Sequence, residues 1–547
     1  MVAFAARHAP LLDQAIAATR ARTHFSAYPE TPSGKIYGET AKADAEAAFA
    51  ALLGKPFAEG ETQVGEERSP WGLALDITYP ALGIEALVAR AQLAALDWAE
   101  ATPATRAGVA LEILHRLNRD SFLMANAVMH TTGQAFVMAF QAGGPHAQDR
   151  GLEAVAYAMQ ALAEVPAAAT WTKQAGRETL NLTKTFRAVP RGIGLVIGCA
   201  TFPTWNSYPG LFASLATGNA VIVKPHPAAI LPLALTVRTA RAVLAEAGFS
   251  PDVVQLAPDT AQAPLAAALA THPAIGIVDF TGGPAFGAWL RAHVGGQKPL
   301  HTEEAGVNPV VLESTADFAG LCRNLAFSLA LYSGQMCTAP QNIFVSAAGI
   351  ATDLGQKTFE EVGAGIVAAL DALLADPARA AGVCGAIQNT ATLERIAAAR
   401  SRGRVLRDSA PIPGQEPART ATPLLLAADA DDCEAWGEEL FGPIAFLIRC
   451  PTALAALTFA ETTATARGAI TALVHSTDPV FLGRAEAAFA RAGVALSENL
   501  TGGIFVNQSA AFSDYHVSGG NPAGTSCLTD AAFVANRFWI ATVRRPA

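Results

Sequence analysis

Four short apolar runs decide how this chain folds: LVIG at 195–198, AVIVK at 220–224, VVQLA at 253–257 and IGIVDF at 275–280. Each has strand length and is dominated by Val, Ile and Leu. Helical stretches separate the last three. Strands that alternate with helices imply a parallel sheet covered on both faces, which is why the runs are apolar throughout rather than alternating. A second alternation begins after residue 300, with NPVVLE (308–313), NIFVS (342–346) and AFLIRC (445–450). The expectation is an α/β protein with two such domains.

Upstream, Ile84, Leu87, Val88, Ala91, Ala95 and Trp98 recur on one helical face, and helical patterns continue to about residue 165. TLNLTKTF (179–186) and FWIATVRR (538–545) alternate instead and read as half-buried strands. Exposed strand edges need a cover, and exchange of arms between protomers supplies one. Residues 26–72 are rich in Pro, Gly and Glu and read as loops around an Ala-rich helix near 41–53. The start, MVAFAARHAPLLDQAIAATR, lacks an early basic region, and Asp13 interrupts its apolar run, so it reads as an amphipathic helix rather than a signal peptide.

Composition narrows the function classes. The chain has 547 residues, 51% hydrophobic and 16% charged, too apolar for a disordered protein. Its net charge of −9 makes nucleic acid and anionic membrane poor partners. No apolar run reaches the roughly 18 residues that span a bilayer. The 7 Cys include no two at metal-ligand spacing and the 11 His are dispersed, so neither a metal site nor a disulfide scaffold is expected. A cytoplasmic location follows as the expectation.

Five segments carry candidate chemistry. Ser333-Gly334-Gln335-Met336-Cys337-Thr338 places a cysteine in a turn between an apolar helix and a strand, where backbone N–H groups favour thiolate. Most single cysteines are small buried hydrophobes, so this turn alone decides nothing. His301-Thr302-Glu303-Glu304-Ala305-Gly306 sets two acids before an apolar strand; either is a general base or a solvated loop acid. Phe280-Thr281-Gly282-Gly283-Pro284-Ala285-Phe286-Gly287 leaves a strand and opens a helix, as phosphate-binding turns do and as ordinary glycine turns also do. Lys224-Pro225-His226-Pro227 ends a strand, and Glu438-Glu439-Leu440-Phe441-Gly442-Pro443 joins charge, aromatic and turn. Gly192-Ile193-Gly194-Leu195-Val196-Ile197-Gly198 imitates a dinucleotide fingerprint, but its spacing is too long and its glycines flank a strand.

In this order, over residues 84–526, the five segments resemble the aldehyde dehydrogenase superfamily. The interval of 34 residues from Glu303 to Cys337 fits that family's base-to-nucleophile spacing. GCATFPTWNSYPG, EEAGVNPVV and the N-terminal extension are similar to the phenylacetic acid degradation (PaaN-type) branch. The resemblance implies two Rossmann-like α/β domains plus an oligomerisation arm of β-strands. An N-terminal extension is expected at 1–80, a cofactor-binding domain at 81–300 with an arm strand near 178–190, a catalytic domain at 301–508, and a C-terminal segment at 509–547 carrying the other arm strand.

The resemblance also implies roles. Cys337 is the nucleophile and Glu303 the base, with Glu304 a competing candidate. Lys224 and His226 reach the cofactor's ribose or phosphate; Gly282, Gly283 and Gly287 lie under the pyrophosphate; Glu439 and Phe441 hold the nicotinamide end. Thr201 stands where the family has an oxyanion-binding Asn, with Asn206 close by as a substitute donor. Phe202, Trp205, Tyr208, Met336 and Thr338 are expected to line the aldehyde pocket. Pro227 replaces a Glu that many NAD-preferring members carry, so NADP is expected to be preferred over NAD. The implied reaction oxidises an aldehyde, a semialdehyde of aromatic-ring degradation either free or linked to coenzyme A, to a carboxylate in a homodimer or homotetramer. Two alternatives stay open: an acyl-transferring enzyme that uses coenzyme A, and a cofactor-binding scaffold without catalysis.

Overall fold

In the computed structural model, which describes residues 4–547, the four runs lie in one parallel sheet. Its strands run in the spatial order Val254–Leu256, Ala220–Lys224, Ile193–Ile197, Ile275–Gly282 and Leu300–Glu304. Val221, Ile222, Leu195 and Val278 are wholly buried because helices cover both faces. The fifth strand, Leu300–Glu304, carries polar residues and was not legible as an apolar run. It nonetheless brings Glu303 to the end of the sheet from which ligand-binding loops project in such folds.

The second sheet has the order Arg404–Arg407, Leu424–Asp429, Ile444–Cys450, Asn342–Ser346, Pro309–Leu312, Thr471–His475 and Ala495–Glu498. Only its edge strand Arg404–Arg407 is antiparallel to its neighbour. Both faces are again packed, by two separate apolar clusters.

The two alternating segments pair with each other inside one chain. Phe538–Pro546 runs antiparallel to Glu178–Pro190, from Phe538 opposite Pro190 to Pro546 opposite Leu182, and Ala168–Ala175 adds a third strand. They were expected to be able to pair between subunits; within this chain the tail covers one edge of its own arm. The N-terminal helix is confirmed as Phe4–Ala21, while residues 1–3 lie outside the described residues. It packs on the helices Pro103–Arg119 and Pro145–Ala163, and Phe4 and Ala15 join their core. The helix near 41–53 spans Ala41–Ala50.

The tail is pinned by a buried ion pair. The Arg537 guanidinium donates to both oxygens of Asp279 on the inner strand Ile275–Gly282, to Ser214 Oγ at 2.8 Å and to the Phe533 carbonyl at 3.1 Å. Removing one member leaves the other charge buried and unpaired. Arg537→Met is expected to lower unfolding free energy by about 3–5 kcal/mol, measured by urea denaturation. A loss below about 1 kcal/mol would mean that the site opens to water and the pair is not a pin.

Candidate active site

Cys337 follows a turn in which three successive residues take left-handed backbone: Tyr332 (φ 50°), Ser333 (φ 49°) and Gly334 (φ 61°). Residues with a side chain avoid this region, so the turn must be held by its surroundings. Ser333 Oγ donates to the carbonyls of Cys384 (3.1 Å) and Ala421 (2.8 Å). Gln335 donates to the Ala386 carbonyl (3.0 Å) and accepts from the Gln388 N–H (2.9 Å). Gly334 is required for space as well, since a Cβ there would lie 2.4 Å from the Gly442 carbonyl oxygen. Asn308 completes the clamp by donating to the carbonyls of Cys337 (2.8 Å) and Ala339 (2.9 Å). Among the described residues nothing accepts the Cys337 N–H, which leaves it free for an oxyanion.

The Cys337 Sγ donates to Glu303 Oε1 at 3.1 Å. The same oxygen is 2.9 Å from His516 Nε2, and Oε2 accepts from Asn206 Nδ2 at 2.9 Å. Burial of Glu303 by itself raises its pKa, but His516, the Arg150 guanidinium and the Cys337 thiol outweigh burial and hold the carboxyl down at about 2. Burial and the facing carboxylate push the Cys337 thiol well above its ordinary range. The resting pair is therefore a thiol donor and a carboxylate acceptor.

Glu304, the competing candidate, has a different partner from Glu303. It is buried against Arg291, with which it forms an ion pair. Gly287 does not face the loop, contrary to expectation: it sits within the helix Pro284–His293, and a Cβ on it would lie 2.1 Å from Glu304 Oε1. Gly287 serves close packing. Gly282 ends its strand, and Gly283 caps the helix with open space around its Cα, as a phosphate-facing turn requires.

Asn206 is displaced from its expected part. Its amide nitrogen is committed to Glu303, and its Oδ1 receives the Cys199 thiol at 3.6 Å. Thr201 lies partly exposed beside Cys199 and is tied by its carbonyl, which accepts from Gln134 at 2.8 Å. Phe202, Trp205 and Met336 form one apolar patch with Met138, Cys199 and Tyr332. Thr338 and Tyr208 do not belong to it. Thr338 is buried with its hydroxyl on the Asn507 carbonyl (2.8 Å), and Tyr208 is a core residue bonded to Thr236 (2.9 Å).

Glu439 and Phe441 sit on a loop clamped by Gln341, which accepts from the Leu440 N–H (2.6 Å) and donates to the Glu438 carbonyl (2.9 Å). Burial pushes the Glu439 carboxyl up to about 7, against the pull of Arg395. Lys224 Nζ lies 2.7 Å from Asp259 Oδ1. That oxygen has no aligned donor, while Oδ2 accepts from the Leu265 N–H at 2.9 Å. A buried acceptor beside a lysine fits paired ribose hydroxyls. His226 is held neutral by burial, its pKa down at about 4, and its Nδ1 accepts from the Ala228 N–H at 3.1 Å. A carboxylate thus stands beside Lys224, from another loop than Pro227, and His226 brings no positive charge.

Three residues of this site had no signal in the sequence. Asp259, Arg150 and His516 join it from segments remote from the motifs, and His516 lies 213 residues from Glu303.

Residues 80–521 match the model of the aldehyde dehydrogenase family. The chain belongs to the aldehyde dehydrogenase family. An NAD-dependent aldehyde dehydrogenase from Burkholderia multivorans is 53% identical and superposes with a TM-score of 0.98, covering 100% of this chain and 99% of that one. A Thermus 1-pyrroline-5-carboxylate dehydrogenase solved with bound NAD is 18% identical with a TM-score of 0.73, covering 96% and 99%, and shares the aldehyde dehydrogenase fold. N-succinylglutamate 5-semialdehyde dehydrogenase of Paraburkholderia xenovorans is 31% identical over 280 residues, 49% of this chain and 53% of its own length. Vanillin dehydrogenase of Corynebacterium glutamicum is 27% identical over 268 residues, 48% and 52%. The chain thus spans about half the length of these curated relatives. Among the described residues no helix is long and apolar enough to cross a membrane.

Proposed function

We propose that this aldehyde dehydrogenase oxidises an aldehyde to its carboxylic acid with NAD, using Cys337 as nucleophile and Glu303 as base. The contact that carries this reading is the 3.1 Å hydrogen bond from the Cys337 thiol to the Glu303 carboxylate. The Cys337 thiol gives up its proton to solvent and its sulfur bonds to the aldehyde carbon, leaving Glu303 ionised. The Cys337 N–H receives the oxyanion. Lys224, Asp259, the Gly283 turn and Glu439 would hold a nicotinamide dinucleotide, which would supply the hydride acceptor for the oxidation to a thioester. Glu303 then draws a proton from water, whose oxygen displaces the sulfur and releases the acid.

The substrate class we propose is a semialdehyde of aromatic-ring degradation, free or carried on coenzyme A, supported by the branch-like stretches around Phe202 and Glu303 and by the apolar patch of Phe202, Trp205 and Met336. A homodimer or homotetramer is part of the same reading. Its support is the arm, whose Leu180, Trp539, Ile540 and Val543 are exposed. Nicotinamide reduction by the purified protein over a panel of aldehydes, including a coenzyme A-linked semialdehyde, tests the reading. Turnover only with added free coenzyme A would move the assignment to acyl transfer.

Cofactor choice is testable separately. A 2′-phosphate would meet the Asp259 carboxylate, so kcat/KM is expected to favour NAD. Asp259→Asn is expected to move the NADP-to-NAD ratio at least about tenfold towards NADP, the size of one removed charge contact. An unchanged ratio would place the ribose elsewhere.

A further inference from the structure

We infer that His516 is the positioning residue for Glu303, holding the base for the hydrolytic half of the reaction without touching substrate. This rests on Cys337 and Glu303 acting as proposed above. Three donors converge on the buried Glu303 carboxylate, and His516 is the one that no family motif supplied: its Nε2 is 2.9 Å from Oε1, with both side chains almost inaccessible. Because a carboxylate only accepts, Nε2 carries the proton.

The ring is itself fixed. The edge of the imidazole meets Trp205 at 4.7 Å between centroids, and Arg150 stacks over Trp205 at 4.0 Å. The His516 backbone N–H donates to Thr529 Oγ1 at 3.0 Å, and the Leu528 N–H returns to the His516 carbonyl at 3.2 Å. The tail residues 516–529 thus form a loop closed on itself that delivers one side chain to the base. It is bound to the same strand by the Ala523 carbonyl, which accepts from the Glu304 N–H at 2.7 Å. The charged and titratable groups facing Glu303 are Arg150 from the helix Pro145–Ala163, Cys199, Cys337 and His516.

The consequence is kinetic. Acylation needs the thiol and the oxyanion donor, whereas hydrolysis needs Glu303 ionised and aimed at water. Loss of the His516 donor leaves burial less opposed, so the carboxyl titrates at higher pH and its oxygen is free to turn. His516→Ala is expected to slow steady turnover about 10- to 100-fold, the size of one hydrogen bond to a charged group. The pre-steady-state burst of reduced cofactor should persist, and the acid limb of the hydrolytic step should move to higher pH. His516→Gln, whose amide also donates, should restore part of the turnover. Binding of the cofactor to each variant reports that the protein is folded. Equal loss of burst and turnover in folded protein, an unmoved pH limb, or no rescue by Gln relative to Ala would overturn the assignment. Absence of turnover in the wild type would instead overturn the aldehyde oxidation reading on which it rests.

Discussion

Cys337→Ala is expected to lose aldehyde-dependent cofactor reduction by at least about 10⁴-fold, the scale seen when a nucleophile is removed from a covalent mechanism. The fold should survive. The turn is held by Ser333, Gln335 and Asn308 through backbone carbonyls and amides, none of which involves the sulfur. The variant should therefore bind NAD as the wild type does and fail only in chemistry. Residual turnover within about tenfold of wild type would require another nucleophile, and Cys199, which lies beside Asn206, would be the one to test.

Glu303→Gln is expected to lower steady turnover by about 10²- to 10⁴-fold while a stoichiometric burst of reduced cofactor remains. The site can absorb the change in shape. A Gln carbonyl at the Oε1 position still accepts from Cys337 and His516. Its NH₂ then faces Asn206, whose amide can turn to present Oδ1. What is lost is the proton acceptor for water. Stopped-flow measurement of the burst beside steady-state rates separates the two halves. Turnover equal to wild type would move the base elsewhere, and loss of the burst with turnover would assign Glu303 mainly to thiol activation.

The order of segments was legible because local rules produce it. Val- and Ile-rich runs bounded by turns form strands wherever they can be covered, and the alternation with helices makes those strands parallel. Cys337 and Glu303 stood out as candidates because each lies on a turn or strand end next to an apolar run, and the family resemblance chose them among such residues. Thr338 and Tyr208 were misplaced because polarity does not say which way a side chain points. Thr338 turns its hydroxyl to the Asn507 carbonyl, and Tyr208 turns inward on Thr236. Gly287 was read as part of a phosphate loop, yet it is needed for helix packing against Glu304.

Asp259 was not legible beside Lys224 for the same reason: it arrives from the loop after Val254–Leu256, a neighbour in space and not at one sequence offset. By itself the sequence determined the two α/β sheets, through periodicity, and the family, through its resemblance, and it brought Cys337 and Glu303 forward as candidates. Only the tertiary structure decided the proton state of Glu303, the commitment of Asn206, the place of Asp259 and the arrival of His516 from the tail. Those depend on burial and on contacts between residues far apart in the chain. No local pattern encodes the electrostatic field that such contacts create.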